Sequence, residues 1–252
     1  MLKVRNLVII QARMNSSRLP GKVMKIVNNR PIIHWQILRV QRSKLIDNLI
    51  VAISNNKSDD ALEKYLLAAG IPVFRGNELD VYDRFRSALE IYPAETVIRL
   101  TADCPLVMPE LIDQMLNSFN ISKPDYLSNA LVPTFPDGLD IEVFSAGAFS
   151  RLESFDLTQI EREHVTLGLY ERTEVFKVES FENSSDLGYE RWTLDYMQDF
   201  EFISRIYHHF RGNELDFTFD EVLQYLEEYP DARNSLSSDF RNISLRKSRD
   251  QS

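Results

Sequence analysis

Four short apolar runs, each separated from the next by a helix-patterned stretch, dominate the first half of the chain and restrict what it can build. "NLVII", "NLIVAIS", "IPVFRG" and "TVIRLTADCP" are rich in β-branched residues, the pattern of strands buried on both faces. After the first run and a basic loop, Pro31 stands at the expected first position of a helix, where a missing N–H costs nothing. Ile33, Ile37 and Val40 then recur at i, i+4 and i+7 and face the core. Ser58 reads as the cap of a second helix carrying Leu62, Tyr65, Leu66 and Ala69, which Gly70 ends. Residues 79–91 read as a third helix, and Pro109 opens a fourth. A βαβαβαβ order requires right-handed crossovers and a largely parallel sheet covered on both faces. In such sheets ligands collect outside the carboxyl ends of the strands. The basic loop, "FRG" and "TADCP" are therefore expected on one rim.

The second half is less regular. "PDYLSNA", "LDIEVFS", "EVFKVES" and "RWTLD" read as strands, some of them antiparallel. Residues 146–153, 159–171, 197–210 and 218–228 read as helices. No Gly/Ser linker or internal repeat divides the sequence. One domain over residues 1–234, with a flexible polar tail over 235–252, is the expectation. A net charge of -9 argues against general binding to nucleic acid or to an anionic membrane, although a local basic cluster can still hold an anion. The one cysteine, Cys104, excludes a disulfide framework and reads as a small buried residue. The opening "MLKVRNLVII" lacks the apolar run of a signal peptide, and no run of about 18 apolar residues marks a membrane span. A soluble cytoplasmic protein is expected.

Four groups of residues can carry chemistry. In "IIQARMNSSRLPGKVM", Arg13, Arg18 and Lys22 follow a buried strand directly. A strand-to-helix loop offers backbone N–H groups as well as cations to an anion. Gly21 opens backbone angles closed to other residues, and Pro20 stiffens the turn. Arg13 presents a planar fork to phosphate oxygens, and Lys22 a point charge. A solvated surface loop is the plain alternative. Neither a Walker motif nor a dinucleotide fingerprint is present. Asp103, held beside Pro105, is placed either to bind Mg²⁺ or to cap the following turn. Asp195 in "RWTLDYMQDF" poses the same choice. Asp137, Asp140, Glu142, Arg162 and His164 form a dense polar set that can shape a sugar pocket, or can be an ordinary turn with a structural histidine. His208 and His209 read as structural or exposed.

Together these blocks resemble a known family. "IIQARMNSSRLPGKVM" is similar to the opening signature of the cytidylyltransferases that activate acidic sugars. "VFRGNELDVYDRF", "RLTADCPLV", "FPDGLDIEVFS", "EREHVT" and "RWTLDYMQDF" most resemble the spore coat polysaccharide biosynthesis protein F-like branch. The resemblance covers about residues 5–205. It implies a Rossmann-like α/β fold of the nucleotide-diphospho-sugar transferase type, mostly parallel, with an antiparallel arm in the second half. It implies CTP, Mg²⁺, a small sugar substrate and a homodimer. By motif position, Gln11 and Ala12 meet the cytosine; Arg13 and Lys22 hold the triphosphate beside Ser17 and Arg18; Arg75 and Thr101 border the nucleotide. Asp103 and Asp195 match the metal-binding aspartates; the polar set of Asp137, Asp140, Glu142 and His164 is the candidate for the sugar, with Arg191 a candidate contact to its carboxylate. Gln11 stands where the octulosonate enzymes have proline, and Thr101 where they have glutamine, so sugar recognition need not follow theirs.

The implied reaction is CMP transfer from CTP to the hydroxyl of a 2-keto acid sugar, with release of pyrophosphate, Arg13, Lys22 and Asp103 acting on the reacting phosphates. The alternatives are a nucleotidylyltransferase of the same fold using another base or a sugar phosphate, a glycosyltransferase with a similar nucleotide site, and a nucleotide-binding scaffold without activity.

Overall fold

A computed structural model describes residues 3–236 and residue 245. Apart from residues 235, 236 and 245, the tail expected from residue 235 onward lies outside the described residues. In chain order the strands are β1 (Val4–Gln11), β2 (Ile26–Val27), β3 (Arg30–Pro31), β4 (Asn48–Ser54), β5 (Val73–Gly76), β6 (Ala94–Thr101), β7 (Tyr126–Ser128), β8 (Glu142–Ser145) and β9 (Val178–Ser180). The helices are α1 (Ile32–Val40), α2 (Asp60–Ala68), α3 (Val81–Ile91), α4 (Pro109–Ser122), α5 (Ala146–Arg151), α6 (Gln159–Glu163), α7 (Leu167–Tyr170), α8 (Met197–His209) and α9 (Phe219–Glu228).

Seven strands form one sheet in the order β5-β4-β1-β6-β8-β7-β9. The expected parallel half is present: β1 pairs in parallel with β4 and β6, and β4 with β5. The antiparallel contribution lies inside this sheet, because β8 runs against both β6 and β7. Strand order reverses at β1, with β4 on one side and β6 on the other, and the crevice beyond their carboxyl ends is the favoured ligand position.

Alternation along the strands fills two cores. Val8, Ile10, Val51, Ile53, Ile98 and Leu100 pack in one cluster with buried residues of α1, α2, α4, α8 and α9. Leu7, Ile9, Ile50, Ala52 and Val97 pack in the other with buried residues of α3, α5 and α7. Side chains alternate across a strand, so one apolar run serves both layers. Among the described residues no helix is long and apolar enough to cross a membrane.

Several local expectations change. Pro31 is the N-cap residue of α1 rather than its first residue. It pairs with Ile26 in a two-stranded hairpin whose turn residues, Asn28 and Asn29, both have positive φ, as a type I′ turn requires. Ser58 is not the cap: Asn56 accepts from its N–H, and α2 starts at Asp60. Gly70 ends α2 with φ +74°. The helix expected over 159–171 breaks into α6 and α7, because Val165 takes φ +55°, an angle a β-branched residue adopts only under constraint. "RWTLD" is not a strand; its one bridge joins Arg191 to Asp137.

Candidate active site

The loop after β1 is tied down at both ends. Met14 N–H donates to Asp59 at 2.7 Å, and Asp59 also accepts from Ser54 N–H at 2.9 Å, which fastens the loop to the end of β4. Met14 carbonyl accepts from Ser16 and Gly21, each at 2.9 Å. Closing this short cup requires φ +70° at Gly21, an angle glycine takes without strain. The chain then enters a turn at Lys22, whose side chain is buried.

Lys22 Nζ donates to three oxygens: Leu194 carbonyl at 2.7 Å, Asp195 Oδ1 at 2.9 Å and Asp103 Oδ2 at 3.2 Å. Residues 22, 103 and 195, far apart in sequence, therefore meet at one point. Burial opposes the charged ammonium, but the two carboxylates outweigh it and raise its pKa. Burial likewise opposes the Asp103 carboxylate, yet Lys22 and a bond from Thr101 hold its pKa down to about 2. Arg18 reaches Asp195 Oδ1 at 2.6 Å. The Cys104 thiol is pushed up by burial and then by Asp103 and Asp140, so it stays protonated and is a poor nucleophile.

A cleft of about 280 Å³ opens over this point. Of the residues singled out in the sequence, Gln11, Ala12, Arg13, Ser17, Arg18, Lys22, Thr101, Asp103 and His164 line it. Gln11 and Thr101 are direct partners across β1 and β6. Arg75 lies elsewhere: its guanidinium donates to Asp60 and Glu63, each at 2.8 Å, and to the carbonyls of Ser54 and Asn56. Asp137 and Arg191 lie behind Asp195. Arg191, 2% exposed, donates to Asp137 at 3.0 Å and to both oxygens of Asp199 at 2.9 Å, and stands 3.6 Å from Asp195. Burial disfavours this guanidinium, but Asp199, Asp137 and Asp195 outweigh it and raise its pKa. Asp140 lies close enough to Cys104 to act on its thiol.

Three positions carry the site without having been singled out in the sequence. Arg99 on β6 donates to Gln11 Oε1 at 3.0 Å and pairs with Glu142, which in turn accepts from Tyr126 at 2.9 Å and Thr166 at 2.8 Å. A cation inside the run "TVIRLT" was the available signal, since a buried arginine needs a partner. Asp199 accepts from the N–H groups of Asp195 at 2.7 Å and Tyr196 at 2.8 Å, so it orients the segment bearing Asp195. Arg84 donates to Asn77 and Glu78 carbonyls and steadies the loop whose Glu78 and Leu79 border the cleft. Gly138, at φ +110°, lets the Asp137 turn touch this segment: a Cβ there would lie 2.4 Å from Thr193 N.

The chain compares well with known proteins. The cytidylyltransferase family model matches residues 7–233. The spore coat polysaccharide biosynthesis protein SpsF of Bacillus subtilis is 33% identical over 242 residues, covering 92% of this chain and 98% of that protein. A cytidylyltransferase structure from Leptospira borgpetersenii superposes with a TM-score of 0.86 at 30% identity, covering 92% of this chain and 98% of that one. A CMP:2-keto-3-deoxy-manno-octonic acid synthetase complexed with CTP superposes with a TM-score of 0.62 at 15% identity, covering 81% of this chain and 99% of that one, a likeness of fold alone. A parallel sheet with its crevice at the β1–β6 switch, and a family match spanning nearly all of it, lead to one conclusion: the chain belongs to the cytidylyltransferase family, enzymes that use CTP as nucleotidyl donor.

Proposed function

We propose that the protein transfers CMP from CTP to a hydroxyl of a 2-keto-3-deoxy acid sugar, such as an octulosonate or nonulosonate, and supplies a CMP-sugar for cell-surface polysaccharide. The observation that carries this reading is the convergence of Lys22, Asp103 and Asp195 beneath a loop bearing Arg13 and Arg18.

Two carboxylates that share one ammonium also offer hard oxygens to Mg²⁺, which suits that ion. Among the described residues no group of three or more His, Cys, Asp or Glu is arranged to hold a metal, so the remaining ligands would be phosphate oxygens and water. Bound there, Mg²⁺ would polarise the α-phosphate. The chain's own part is positioning and charge. Gln11 and Ala12 border the cytosine, with Gln11 held by Arg99. Arg13, Ser17, Arg18 and Lys22 take the triphosphate, and Lys22 and Arg13 balance charge developing on pyrophosphate. The sugar hydroxyl oxygen attacks the α-phosphorus and gives up its proton to water, and the bond from that phosphorus to the bridging oxygen of pyrophosphate breaks, its electron pair leaving with pyrophosphate. His164 and Glu163, which also line the cleft, face the incoming sugar. Arg191 and Asp137, bound to each other, act from behind by holding Asp195.

Pyrophosphate release, followed with CTP, UTP, GTP and ATP against a panel of ulosonic acids, tests the reading. CTP with one acidic sugar should dominate, and Asp103→Ala should lower the rate by about 10²-fold or more. Normal turnover by that variant, or release that depends on another base, would overturn it.

A further inference from the structure

Lys22 occupies the place to which the preceding reading assigns a divalent cation. Its Nζ bridges Asp103 and Asp195 at 3.2 and 2.9 Å and is anchored by Leu194 carbonyl at 2.7 Å. Mg²⁺ coordinates oxygen at about 2.0–2.1 Å. An ion bound to both carboxylates would therefore fall in nearly the same space as the ammonium. Asp195 has more cations around it: Arg18 at 2.6 Å and Arg191 at 3.6 Å. Adding a dication while all three remain would crowd five positive charges around a pair of acids, in a place partly withdrawn from water.

We propose that Lys22 and the divalent cation exchange, so that the cation gains both carboxylates only when a triphosphate takes over the Lys22 ammonium. This inference rests on the nucleotide-and-metal reading above. Three features support it. Lys22 lines the cleft, so its ammonium can turn from the acids to a phosphate by rotation about its own flexible stem. The side chains supply two carboxylates, and among the described residues no third His, Cys, Asp or Glu joins them, which leaves coordination positions for phosphate oxygens. Arg18 also lines the cleft and can follow Lys22 onto the same anion. Until then Lys22 keeps two acids from repelling each other, and afterwards it neutralises pyrophosphate. Metal and nucleotide affinities are therefore coupled, and the coupling is reciprocal.

Mn²⁺ binding, read by the loss of its free-ion paramagnetic resonance signal, tests this on the full chain. It is measured with and without the non-hydrolysable analogue α,β-methylene-CTP, corrected for Mn²⁺ bound by free analogue. For the wild type, saturating analogue should tighten Mn²⁺ binding at least tenfold, and saturating Mn²⁺ should tighten analogue binding by the same factor. Lys22→Met should bind Mn²⁺ without nucleotide at least tenfold more tightly than the wild type, because its acids have lost their resident cation. Lys22→Gln, which keeps a donor for Leu194 carbonyl, carries the same expectation if the Met variant does not fold. Asp103→Asn should abolish the gain in either background. Wild type and Lys22 variants binding Mn²⁺ equally well without nucleotide would overturn the exchange while leaving the catalytic reading intact. Failure of the wild type to bind analogue and Mn²⁺ together would overturn both.

Discussion

Asp103 and Asp195 come within reach of one ammonium, yet they are held there in different ways. Asp103 follows β6, where Val97, Ile98 and Leu100 are buried and seven register pairs bind the strand to β1. Asp195 follows no strand. Its segment is fixed by Arg191, by Asp199 beneath its own N–H, and by the Asp137–Gly138 turn pressed against residues 192–193. One acid rides on apolar packing, the other on a buried charge network. Apolar packing degrades gradually, because each lost methylene costs a little. A buried network fails abruptly, because removing one member leaves its partners charged and unpaired.

The largest expected effect breaks the network. Arg191→Met leaves Asp137 and Asp199 buried without their shared cation, and should cost about 3–5 kcal/mol of unfolding free energy. Mn²⁺–CTP binding should be lost with it. Denaturant unfolding and the resonance titration measure the two losses. A variant within 1 kcal/mol of wild type would mean that the Asp195 segment is held by something else.

The same contrast governs what was legible in the sequence. Gln11, Ala12, Lys22, Thr101 and Asp103 follow or end runs whose buried, β-branched character announces a parallel strand, so topology alone carries them to the rim. The segment 190–199 has no such signal. "RWTLD" alternates like a strand, but Arg191, Trp192, Thr193, Leu194 and Asp195 are all buried, which period-2 patterning cannot express. Asp199 falls within the helix expected over 197–210, where spacing alone makes it one polar position among several. Val165 broke the helix between α6 and α7 at a residue type that rarely takes positive φ, and no glycine or proline announced it. Arg75 stands at the right place on the rim, but Asp60 and Glu63, both in the first turn of α2, claim its guanidinium. Partner choice among surface charges depends on three-dimensional distances that spacing does not reveal.

Two intermediate substitutions sharpen the comparison by separating stability from binding. Ile98→Ala removes a fully buried side chain from the apolar support of Asp103 and should cost about 3 kcal/mol. At temperatures where the variant is folded, Mn²⁺–CTP affinity should stay within twofold of wild type, because the register of β6 is unchanged. Gly138→Ala should cost at least as much, about 3 kcal/mol or more, from the strained φ and the clash of its Cβ with the backbone of Trp192 and Thr193. It should also weaken Mn²⁺–CTP binding at least tenfold by moving the Asp195 segment. Equal effects of the two variants on binding would erase the distinction between the two supports.

The smallest effect concerns the corner between α6 and α7, beside His164. Glu161 is buried and accepts from Thr158 N–H at 2.8 Å and Thr158 Oγ1 at 2.9 Å, and it pairs with Arg172. Burial opposes its charge, but Arg172 and the Thr158 donors outweigh it and lower its pKa. A carboxylate whose folded pKa is depressed contributes stability above its unfolded value, about 4.3, and loses that contribution as pH falls through the lower folded value. Glu161→Gln should therefore cost about 1 kcal/mol at pH 7. The difference from wild type should stay level down to about pH 5, then shrink as the solution is acidified further. Urea unfolding of both proteins across this range measures it. A difference that grew on acidification would mean that Glu161 is protonated in the fold and that the corner is held without its charge, by the same apolar means as the β6 side.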